Sequence, residues 1–158
     1  MLVSKRDKLR STKPTSESGF SLLELLAAAA CATILLAAAI PNIYHFQQEW
    51  TLWGSAHALE VSLQWGRTYA ISANSSIMLE VDDGGRQFYW ADPVSGDRYE
   101  NTVRHLPDPI RIVRFPKRPL RFYQHGNAAP AGTYVLQGKT RSYRVVVSPG
   151  GRIRLQKN

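Results

Sequence analysis

The sequence predicts an α+β protein in which a long N-terminal helix, membrane-spanning in its first half and amphipathic in its second, packs on a small antiparallel β-sheet head. Three observations lead there. Residues 20–40 form an apolar run interrupted by one charge; apolar and small residues then recur in steps of three and four as far as Ala70; and the rest of the chain breaks into short extended segments punctuated by Gly, Pro and Asp. At 158 residues the chain has room for one modest core.

The apolar run reads FSLLELLAAAACATILLAAAI. At about 1.5 Å per residue, a helix of that length crosses a hydrocarbon core of roughly 30 Å once. Lys5, Arg6, Lys8, Arg10 and Lys13 precede it. A basic flank of this kind marks the cytoplasmic end, which places the head beyond the inner membrane. An ordinary secretory signal competes, because Ala37-Ala38-Ala39 before Ile40 resembles a cleavage site. Against it stand the length of the basic flank and Glu24, an acid inside the run that costs roughly 3 kcal/mol unless a positive charge meets it. Cys31 is the single cysteine, so no intramolecular disulfide forms. It reads as a small hydrophobe, and the run continues well past it instead of ending there as a lipoprotein signal would.

Cleavage between Gly19 and Phe20 would supply the missing charge, an α-amine one helical turn from Glu24. The segment Gly19-Phe20-Ser21-Leu22-Leu23-Glu24-Leu25 resembles the prepilin peptidase motif of type IV pilin-like proteins, and Pro41 falls where many pilins carry a helix-loosening proline. The resemblance implies that a prepilin peptidase removes residues 1–19 and that Phe20 becomes N-methylated. It also implies that Glu24 pairs with the terminal amine of a neighbouring subunit during fibre assembly.

Beyond Pro41, the residues Ile43, Phe46, Trp50, Trp53, Ala56, Leu59, Leu63, Gly66 and Ala70 make one helical face, carrying the helix to about Ala73 or Asn74. Pro41 is the expected bend, since proline removes a backbone hydrogen bond. Trp50, Trp53 and Trp65 at helical spacing read as core or membrane-interface packing in preference to a ligand-stacking surface. Segments 77–81 and 86–91 flank Asp82-Asp83-Gly84-Gly85, a hairpin signal. Pro107, Pro109, Pro116 and Pro119 break the middle into loops around short strands at 110–114 and 120–123. Strands follow at 132–137, 141–147 and 151–155, the last two joined by Ser148-Pro149-Gly150. The chain thus divides into a leader (1–19), a transmembrane and assembly helix (20–41), an amphipathic helix (42–74) and a β-rich head (75–158).

Charge is unevenly placed within the net +8. Residues 1–19 carry five bases and two acids, residues 20–103 three bases and nine acids, and residues 104–158 twelve bases against Asp108 alone. The helix followed by a β-rich head closing on Val-Val-Val-Ser-Pro-Gly-Gly-Arg-Ile-Arg resembles the FimT/GspH family of minor pilins and H-type pseudopilins. That family includes type II secretion pseudopilins and minor pilins of type IV pili, some of which bind DNA during uptake. In the DNA-binding members a C-terminal glycine-arginine-any-arginine signature carries binding, and Gly151, Arg152, Ile153 and Arg154 match it.

Physical chemistry supports the same region independently. In a strand, Arg152 and Arg154 share a face about 6.6 Å apart while Ile153 and Leu155 take the other. Their guanidinium groups suit phosphate. Lys139, Arg141 and Arg144 lie on or beside the neighbouring strand, although Arg141 and Arg144 have opposite parity and face apart unless a bulge intervenes. With no base-reading motif in view, such a surface would bind double-stranded DNA irrespective of sequence. The alternative is a basic surface that keeps the head soluble or pairs with the acidic segment of a neighbouring subunit, as in a purely structural pseudopilin. Expected partners are therefore the prepilin peptidase, other pilin or pseudopilin subunits, the inner membrane and, on the first reading, duplex DNA. Nothing calls for a cofactor. His45, His57, His105 and His125 lack metal-ligand spacing, and no nucleophile elbow or Walker loop is present, so the sequence does not read as an enzyme.

Overall fold

The computed structural model describes residues 21–157. The chain divides into two compact units, residues 1–40 and 41–158. In the first, the backbone of Ser21 accepts the amides of Glu24 and Leu25 and so opens the helix α1, Leu22–Ser72. Glu24 lies in its first turn, where an acid complements the helix dipole. Leu22, Leu23, Leu25, Leu26, Ile34 and Leu35 are all exposed. The α1 range includes Pro41, the first residue of the second unit. Gly19 and Phe20 lie outside the described residues, as do the side chains of residues 38–42 and His45. Among the described residues no helix is long and apolar enough to cross a membrane.

Within the second unit, α1 presents Leu52, Ala56, Leu59, Leu63 and Ala70 to the core, in steps of four, three, four and seven. The lower part of the expected face is buried as predicted, but its upper part is not. Ile43, Phe46, Trp50 and Trp53 are exposed, and Leu52 is the residue that turns inward. The period of 3.6 leaves 52 and 53 equally eligible as partners of Ala56, and the smaller side chain takes the buried place. Gly66 is required by what lies above it: a Cβ there would stand 2.2 Å from the Trp90 ring. The indole in turn donates to Ser62 Oγ at 2.9 Å. The helix closes with Asn74 in the left-handed region (φ 48), Ser75 N–H donating to Ala70 O and Asn74 N–H to Ile71 O. This is a Schellman end with asparagine where glycine is usual.

The expected single sheet is two. β1 (Ile77–Val81), β2 (Gln87–Ala91), β3 (Arg104–His105), β5 (Leu120–Phe122) and β6 (Ala128–Ala129) form one, in the order β3-β2-β1-β5-β6. β4 (Arg111–Arg114), β7 (Gly132–Gln137), β8 (Ser142–Val147) and β9 (Ile153–Lys157) form the other, in the order β4-β7-β8-β9. All pairings are antiparallel. Asp82 Oδ1 accepts the amides of Arg86 and Gln87 and so shapes the β1–β2 turn. Gly85 at the tip (φ 63) exchanges backbone contact with Ile112, whose amide donates to its carbonyl at 2.8 Å, and this ties the hairpin to the second sheet. Trp90, Phe122, Leu120, Tyr134, Leu136 and Val145 fill the core.

Candidate functional site

The four-stranded sheet has one face in the core and one in solvent. Tyr134, Leu136, Tyr143, Val145 and Val147 are buried, so Thr133, Val135, Gln137, Arg144 and Val146 alternate to the outside. On β9, Arg154 pairs with Val146 and Gln156 with Arg144, which puts both on the outer face, while Ile153 and Leu155 pack against the core. Arg144 is half-buried among these neighbours, and its Nε, fully enclosed, has no hydrogen-bond partner among the described residues. No acid occurs in β4, β7, β8 or β9.

Arg152 sits just before β9, not within it as expected, because the Ser148-Pro149-Gly150-Gly151 turn takes one more residue to close. Gly151 N–H donates to Ser148 O at 2.9 Å and Arg152 N–H to Ser148 Oγ at 3.1 Å. Gly151 has φ 75, and a Cβ there would stand 1.9 Å from Gly126 O. The same carbonyl accepts Arg67 Nε at 3.0 Å. The exposed Arg152 side chain therefore lines a cleft with Gln64, Arg67 and Thr68 of α1.

The five arginine and lysine residues singled out in the sequence do not form one patch. Arg144 and Arg154 share the outer sheet face, diagonal neighbours at about 7–8 Å between Cα atoms. Arg152 stands at the turn beside them in sequence. Lys139 is exposed in the β7–β8 turn and lines a groove with Gln47, Gln48 and Thr51. Arg141 goes the other way: its guanidinium bonds Glu49 of α1, which also accepts Lys157 Nζ at 2.9 Å. Arg141 lies just before β8, whose register with β7 is unbroken from Ser142 onward, and it bonds the helix while Arg144 faces outward. The Lys157 hydrogen bond, opposed by partial desolvation and reinforced by Arg141, holds the Glu49 carboxyl below its ordinary value.

Three further basic residues, which sequence pattern does not mark, bear on this region. Arg67 is one, placed by its bond to Gly126 O. Arg111 and Arg114 are the others, exposed on the outer sheet face. Among the histidines, His57 pairs with Glu60 at 3.1 Å and stacks on Trp53. Among the described residues no group of His, Cys, Asp and Glu is placed to hold a metal.

Comparison with known proteins bears on this fold. Residues 55–151 match the family model described as type II transport protein GspH, and residues 14–40 match the prokaryotic N-terminal methylation motif. The first match stops at Gly151, so Arg152 and Arg154 lie just past it. No curated protein matches. The minor pseudopilin EpsH of the Vibrio cholerae type 2 secretion system is similar in structure with TM-score 0.58 and 17% identity, covering 67% of this chain and 96% of that one. The Pseudomonas aeruginosa type IV minor pilin FimU is similar with TM-score 0.58 and 21% identity, covering 70% and 92%. At these identities the structures speak for the fold, and the family model, which covers more than half of the chain, speaks for kinship. An N-terminal methylation motif, a helix packed on antiparallel sheets and a GspH region from 55 to 151 together mean that the chain belongs to the GspH family of type IV pilin-like proteins.

Proposed function

We propose that this chain is a minor pilin or pseudopilin subunit that binds double-stranded DNA without sequence preference through the turn and outer face of its C-terminal strands. The observation that carries the reading is an acid-free four-stranded sheet whose solvent face holds Arg144 and Arg154, with Arg152 exposed at the adjoining turn. Phosphate contacts from such side chains supply affinity without reading bases.

The N-terminal half of the proposal is assembly. Processing between Gly19 and Phe20, methylation of Phe20 and pairing of Glu24 with a neighbour's amine are supported by the methylation-motif match over residues 14–40. The exposed leucines of the first helical unit support a membrane or fibre environment that covers them, since apolar side chains in such number are costly in water. On this reading residues 20–41 span the inner membrane before entering the fibre, with the head outside the cytoplasm.

A second reading has its own observation. Arg141 and Lys157, both from the basic segment, are already taken by Glu49 from the acidic one. The same chemistry between subunits would make the basic face a fibre contact, as in a structural pseudopilin of a type II secretion system. Fluorescence anisotropy of a labelled duplex with the full chain in non-ionic detergent separates the two. Arg152→Gln with Arg154→Gln should weaken binding by on the order of tenfold at low salt, because about two phosphate contacts are lost. Wild-type protein that leaves the duplex free at low salt would favour the fibre contact.

A further inference from the structure

Arg111 and Arg114 are three residues apart, and in an undistorted strand they would face opposite ways. The β4–β7 ladder prevents this. Arg111 lies opposite Gln137 and Ile112 opposite Leu136, but the next pair is Arg114 with Val135, so Val113 is an extra residue in the strand. Because Gln137 and Val135 are outward positions, the bulge turns both arginines to solvent. From Arg114 the same row continues through Val135 and Arg144 to Gln156, and the next row holds Thr133, Val146 and Arg154. Four arginines thus occupy one sheet face. Among the described residues none of the four forms an ion pair.

Spacing shows what such a plate fits. From β4 to β9 are three strand intervals of about 4.8 Å, or about 14 Å. That is close to the width of the B-DNA major groove, about 12 Å. We infer that Arg111 and Arg114 form a second phosphate-gripping edge, so that β4 and β9 hold the two backbones flanking one groove and the surface selects duplex over single strands. This inference rests on the DNA reading above. It adds a role for β4, whose sequence lies far from the C-terminal signature, and gives the bulge at Val113 a function: without it only one of the two arginines would reach the face.

The test compares a labelled duplex with one of its single strands, using the full chain in non-ionic detergent over a salt series. Arg111→Gln with Arg114→Gln should weaken duplex binding by on the order of tenfold at low salt and flatten the log–log salt slope by up to about two units. Single-strand binding should change little, and the corresponding Lys pair should restore the slope, which separates loss of charge from loss of fold. Duplex affinity and slope that match wild type in the Gln pair, while Arg152→Gln with Arg154→Gln still loses them, would overturn the β4 edge and leave the DNA reading standing. Equal loss on duplex and single strand would overturn the groove-spanning geometry. A wild-type chain that does not bind duplex would remove both.

Discussion

Gly151 belongs to the signature that suggests DNA binding, yet its own task is conformational. Its φ of 75 and the approach of Gly126 O, 1.9 Å from where a Cβ would stand, leave no room for a side chain. Gly151→Ala should therefore lower stability by about 2–4 kcal/mol through backbone strain and displacement of the Gly126 loop, read as a fall in melting temperature. DNA affinity should fall with it, since Arg152 hangs on the same turn. A Gly151→Ala protein with wild-type melting would show that the turn has another way to close. At this scale the sequence was a partial guide. Parity correctly set Arg154 against Ile153 and Leu155. It could not show that Glu49, about ninety positions upstream, waits for Arg141, nor that Arg67 braces Gly126, because both contacts join segments remote in sequence.

Among the elements, the helix and the longer strands were legible and the short pieces were not. Strands 77–81 and 132–137 fall where alternation and flanking turns placed them, and the others differ by one or two residues at their ends. β3 and β6, two residues each, carry no periodic signal and are the two edges of the first sheet; the split into two sheets depends on which strands pair, which alternation along the chain does not reveal. The helix face was read correctly from Ala56 to Ala70, including Gly66. That glycine is where helix and first sheet touch. Gly66→Ala should cost about 1–3 kcal/mol by overpacking against the Trp90 ring. In a Trp90→Phe background, whose single ring does not reach as far as the outer ring of the indole, the same substitution should cost little. An equal cost in both backgrounds would place the clash elsewhere. The bulge in β4 had no sequence signal either, which is why Arg111 and Arg114 entered only with the ladder register.

For the whole molecule, function is divided between an N-terminal unit suited to processing and assembly and a C-terminal unit that carries the basic sheet. Coexpression with a prepilin peptidase should yield a chain beginning at Phe20, with Glu24→Ala cleaved equally well but missing from the fibre; intact mass and fibre fractionation decide it. A mature start at Ile40 or Pro41 would point to an ordinary signal peptide. The division also explains why charge matters by location: Arg141 and Lys157 pair with Glu49 of the helix, whereas among the described residues Arg111, Arg114, Arg144 and Arg154 on the outer sheet face form no ion pair. The most direct measurement of the central claim is duplex binding by the full chain across a salt series. With about three to five phosphates contacted, the logarithm of the binding constant should fall against the logarithm of salt with a slope of roughly −3 to −4.5 and no dependence on sequence. Absence of binding at low salt, or binding indifferent to salt, would contradict it.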